Sequence, residues 1–163
     1  MASAQDKDTI KYLVKFLKGG QAFAPLNVIL DKIPANVRGV VPDGLPYSLW
    51  KQVEHIRVCQ WDILDFSRNP DYKEMKWPDD YWPKENAPKK DAAWDHSIKK
   101  IFSDMDEFIA LLEAPDCDLY TPFPWGDGQN LLREAMLLAN HNAHHAGEIV
   151  ILRRMLGVWE SKT

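Results

Sequence analysis

The stretch "NHNAHHAGEIVILRR" begins at Asn140 and places His141, His144 and His145 within five residues, out of five histidines in the whole chain. Imidazole is the commonest metal ligand among side chains and the usual acid/base group near neutral pH. What these rings can do depends on where each one points. Stepping 100° per residue from Leu138, a helix brings Leu131, Ala135, Asn142, Ile149, Leu152 and Leu156 to within about 60° of it, an arc that should face a core. His141 and His145 fall in that arc, one turn apart. His144 falls about 120° away, toward a neighbouring helix edge or water. Inward imidazoles at i and i+4 can converge on one cation, and a zinc-type ion accepts three protein nitrogens at about 2.0–2.1 Å plus a water. The alternative is a pair of buried polar rings bonded to carbonyls or water. The spacing alone leaves both open.

A third ligand would have to come from His55 or His96. His96 lies in "KKDAAWDHSIKK", on a charged side, and reads as a surface residue. His55 lies at the flank of the arc defined by Leu49, Val53, Ile56 and Ile63, with Cys59 and Asp62 on its stripe. Geometry alone puts His55 neither inside nor outside.

The elements that must position these rings are all helical in period. A short first helix is expected over about 7–18, ended by Gly19-Gly20, and a second over about 24–32. The segment 34–46 is a loop by its prolines and glycines. Ser48 is the expected N-cap of a long helix reaching about Phe66. The segment 68–90, "RNPDYKEMKWPDDYWPKENAPKK", has no steady period and carries four prolines. It reads as a long aromatic loop that packs down onto the protein. A helix follows over about 91–113, then a loop over 114–128, then a helix from about Asn130 to Leu156 with Gly157 as C-cap. Long helices joined by loops imply an all-α, four-helix bundle with a short extra N-terminal helix and long aromatic loops, as one domain over 1–163.

Composition narrows the function. The net charge is −4 and no long basic tract occurs, so the electrostatic footprint of a nucleic-acid binder is missing. No run of about 18 apolar residues suggests a membrane span. The first residues lack a secretory signal pattern, so a cytoplasmic protein is expected. Cys59 and Cys117 are the only cysteines, too few for a disulfide framework or a four-cysteine zinc site.

Three stretches, "LPYSLWKQVEHIRVCQWDILDF", "WPDDYWP" and "HNAHHAGEIVILRRMLG", together resemble the DinB-like (DinB/YfiT) superfamily of metalloenzymes. The resemblance spans nearly the whole chain, in order and spacing. It implies a four-helix bundle, a homodimer, and one divalent ion held by His55, His141 and His145, with water or substrate completing the shell. Zinc or nickel fits best and iron is a further candidate. His144 occupies the extra histidine of the "HH" pair and is not carried over as a ligand. Relatives include thiol-dependent transferases and isomerases and some amide hydrolases. The resemblance therefore implies metal-activated thiol transfer or hydrolysis on a small-molecule substrate, with a low-molecular-weight thiol as a candidate cofactor. The rival is a non-catalytic, stress-associated bundle in which the metal is structural.

One position departs from the family pattern: Gly147-Glu148 stands where Gly-Gln is common. Glu148 could accept a hydrogen bond from an imidazole N–H, or simply pair with Arg153 or a lysine. Glu148, Asp62 and Cys59 are the candidate acid/base or substrate-contact groups, although Cys59 reads more naturally as a small packing residue. The aromatics Trp77, Tyr81, Trp82 and Trp125 could cap the open end of the bundle, line a pocket rim, or do both.

Overall fold

The computed structural model describes residues 4–159. Helix α1 spans Ala4–Lys18, α2 Leu26–Ile29, α3 Leu49–Arg68, α4 Asp91–Glu113 and α5 Leu131–Met155. No strand occurs among the described residues. The four long helices α1, α3, α4 and α5 form the bundle. The short extra element is α2, a single turn far smaller than the helix expected over 24–32.

Local chemistry sets the ends. Gly19 and Gly20 take φ of 71° and 76° and stop α1. Ser48 caps α3 by accepting the Lys51 N–H, and Asn130 caps α5 by accepting that of Arg133. At the end of α5, Gly157 sits at φ 69°. Its N–H reaches the Arg154 carbonyl and that of Val158 reaches Arg153, the Schellman arrangement that a C-terminal glycine permits. Arg153 is buried and donates to the carbonyls of Ile29 and Val158, tying α2 to the end of α5.

Cross-helix bonds give the directions. Gln60 bonds the Ile101 carbonyl and Arg68 pairs with Glu107, so α3 and α4 run the same way. Gln52 meets His145 and Gln60 meets Asn142, so α3 and α5 run oppositely. Parallel neighbours need a connection that travels back along the bundle. Residues 69–90 make that crossover, which explains the length of the aromatic loop.

Two apolar clusters fill the interior. One gathers Leu64, Phe108, Leu112 and Leu138, with Leu13 and Leu17 of α1. The other gathers Ile29, Leu49, Ile56, Ile101, Ile149 and Leu152. Between them, α3 and α5 carry polar residues inward: Gln60, Asn142, His55, His141 and His145. No helix among the described residues is long and apolar enough to cross a membrane.

Candidate metal centre

His141 and His145 project from α5 into the groove shared with α3, and His55 projects from α3 to meet them. The ring centroids are 5.0 Å apart for His55–His141, 4.6 Å for His55–His145 and 4.5 Å for His141–His145. One nitrogen from each ring lies within 4.8 Å of the others, a grouping able to hold a metal ion. His55 is 2% exposed and His145 7%. His144 points away with its ring 67% exposed, as its angle on the helix requires. His96 is exposed on α4 and takes no part.

Each ring is held differently. Nδ1 of His55 faces the Tyr81 carbonyl at 3.0 Å. A carbonyl only accepts, so Nδ1 carries the proton and Nε2 keeps the lone pair. Trp82 lies flat on the His55 ring at 3.7 Å and 6°. Nδ1 of His145 faces the Glu148 carboxylate at 2.7 Å and the Gln52 amide oxygen at 2.8 Å, so its Nε2 is likewise the free lone pair. His141 lacks such support: its Nδ1 is buried without a hydrogen-bond partner, as is Oδ1 of the adjacent Asn142.

The donor set fits a tetrahedral divalent ion. Two nitrogens at 2.0–2.1 Å from such an ion stand roughly 3.3 Å apart, and Nε2 of His55 and His141 are 3.2 Å apart. Burial pushes the pKa of both His55 and His141 down to about 4. Burial also lowers His145, with Glu148 working against it. All three rings are therefore neutral at pH 7, the form in which imidazole binds metal.

A profile of the DinB superfamily matches residues 21–149. The chain belongs to the DinB superfamily. No curated protein and no solved structure matches it. The matched span contains all three histidines of the cluster, the crossover and Glu148, so the features that set this DinB-superfamily site lie within it.

The other candidates separate by position. Glu148 bonds His145 through Oε2 and accepts the Tyr47 hydroxyl on Oε1 at 2.5 Å. It is not paired with Arg153, whose guanidinium is taken up by carbonyls. Burial alone would raise the Glu148 carboxyl, but the bonds from Tyr47 and His145 outweigh it and hold it below the usual carboxylate range. Cys59 is buried with Sγ 3.5 Å from Nδ1 of His55. Burial pushes its thiol up to about 12, so it stays protonated and packs. Asp62 lies two turns beyond His55 and accepts hydroxyls from Tyr72 and Tyr81 at 2.9 and 2.8 Å. Burial raises its carboxyl despite those bonds. It borders a cleft of about 430 Å³ with Glu134, Arg133 and Trp125. Tyr81 links the two places, its carbonyl on His55 and its hydroxyl on Asp62.

The expected aromatic cap divides. Trp77, Tyr81 and Trp82 surround His55 and cover the α3–α5 groove. Trp125 stacks on Phe123 and donates to the Phe66 carbonyl, beside the second cleft. Tyr47 and Gln52 also belong to the centre, through Glu148 and His145, although neither residue type points to metal chemistry by itself. Gln52 did leave a signal, because it falls on the apolar stripe of Leu49, Val53 and Ile56, where a polar residue needs a partner.

Proposed function

We propose that this chain is a divalent-metal-dependent enzyme whose mononuclear site is formed by His55, His141 and His145. It acts on small molecules by thiol transfer or hydrolysis. The observation that carries the reading is the convergence of three neutral imidazoles whose outer nitrogens, on His55 and His145, already have acceptors. Bound there, zinc, nickel or iron would supply Lewis-acid chemistry, lowering the pKa of a water or of a substrate thiol. The protein's share is to orient the rings. Tyr81 and Trp82 fix His55, and Glu148, steadied by Tyr47, fixes His145 and raises its basicity as a ligand. Asp62, with its carboxyl raised by burial, is the acid/base or substrate-contact group of the adjoining cleft. Neither Cys59 nor Glu148 serves as the nucleophile.

A cytoplasmic location and a low-molecular-weight thiol as co-substrate belong to this reading, as does a homodimer.

The second reading is a metal that only stabilises the bundle. The flat stack of Trp82 on His55 favours it, because the ring covers part of the approach. Screening thiol-transfer and amidase or esterase substrates with metal-loaded and chelator-treated protein separates the two. Metal-dependent turnover supports the enzyme. Equal rates in both samples would remove it.

A further inference from the structure

Outside the three-histidine cluster, α5 carries a second convergent group on its outer side. One nitrogen each of His144 and His145 and a carboxylate oxygen of Glu148 lie within 4.8 Å of one another. His144 and Glu148 are one turn apart, with Nε2 3.7 Å from Oε1. Two donors on a tetrahedral divalent ion stand roughly 3.3–3.5 Å apart, so little movement would bring them onto one. The His144 ring is 67% exposed and the Glu148 side chain 22%, so the group opens to solvent. Nδ1 of His145 completes it, 2.7 Å from Oε2 of Glu148.

We propose that His144, Glu148 and Nδ1 of His145 form a second, outer divalent-cation site that competes with the three-histidine set for His145. A neutral imidazole has one lone pair and one N–H. When Nε2 faces inward as a ligand, Nδ1–H donates to Glu148. When Nδ1 binds an outer ion, the proton resides on Nε2 and the ring leaves the inner set. With the inner set filled, an outer ion retains His144, Glu148 and water. It still draws the carboxylate away from the His145 N–H. Loss of such a partner costs about 10–100-fold in metal affinity, and coupling between two bound ligands is reciprocal. Excess metal therefore weakens the inner site through Glu148. The outer group exists whatever the inner site does; only the competition rests on the reading above.

Titration calorimetry with zinc chloride on chelator-stripped protein tests this. Wild type is expected to show one tight event and one weaker event. His144→Ala, an exposed substitution, should keep the tight event and lose the weaker one. The double variant His55→Ala/His141→Ala should lose the tight event and keep a single site, about 10–100-fold tighter than the second event of wild type. A wild-type isotherm without a weaker event, or a weaker event that survives in His144→Ala, would overturn the outer site. A single site in the double variant no tighter than that second event would overturn the competition. If the double variant loses its helical circular dichroism, His144→Ala decides alone. Loss of only the tight event from wild type would count against the inner site and leave the outer one standing.

Discussion

His55 and His145 each have an acceptor on the nitrogen that faces away from the cluster, whereas His141 has none. The facing of the rings, inward for His141 and His145 and outward for His144, orders the expected effects of substitution. His141→Ala or His145→Ala should abolish tight metal uptake, while His144→Ala leaves most of it, as measured by metal content after dialysis. Equal loss from all three would contradict the facing of the rings. Glu148→Ala should weaken tight zinc binding about 10–100-fold. Glu148→Gln, which retains an acceptor oxygen, should recover part of that loss in a chelator competition. Acidity acts on the same rings. His55 and His141 titrate near 4 in the fold and near 6.5 in the unfolded chain. Between those values the unfolded state binds more protons, so stability rises with pH there. The metal-free protein should hold its full stability above about pH 6.5 and lose it progressively toward pH 4, read as urea midpoints across that range. Asp62 and Glu134, whose carboxyls burial raises, act in the opposite sense, so a slope that His141→Ala leaves unchanged would mean that the rings are not buried neutral.

At the scale of elements, α5 was legible and α3 only half so. The arc centred on Leu138 separates His141 and His145 from His144 on α5, because one face of that helix meets the core and the rest meets water. On α3 the arc leaves His55 undecided. This helix is covered by α4 on one side and by α5 and the crossover on others, so its buried surface is wider than its apolar stripe. His55, Gln52 and Gln60 are all buried there. The crossover was legible as a long aromatic loop, but not its path, because Tyr81 acts through its backbone carbonyl and that leaves no mark in a sequence. Ser48 joins two of these elements, accepting the Lys51 N–H and donating to the Asn86 carbonyl. Ser48→Ala should cost about 1–2 kcal/mol, seen as a lower urea midpoint with an unchanged slope. No change would mean that the crossover is anchored elsewhere.

Across the whole molecule, long amphipathic helices and loop punctuation sufficed for the bundle, since each helix must bury a stripe and only other helices are present to cover it. The order of packing was not legible. The parallel pairing of α3 with α4 follows from the crossover, and α2 is a single turn that starts after the extended Pro25 and gives its Ile29 carbonyl to Arg153. A centre that spans α3 and α5 joins helices far apart in the sequence, so an ion that binds only the folded state should stabilise the entire bundle. At a hundredfold excess over Kd the gain is about 2.7 kcal/mol, or roughly 5–10 °C in Tm for a chain of this size. Scanning calorimetry of zinc-loaded and chelator-treated protein checks it, and coincident curves would deny the linkage.

The most direct measurement is anomalous diffraction at the zinc edge from crystals of the zinc-loaded protein. A peak about 2.0–2.2 Å from Nε2 of His55, His141 and His145 is the predicted result. Those three rings hydrogen-bonded to one another with no peak among them, at a zinc concentration that fills the tight site in solution, would contradict the proposal.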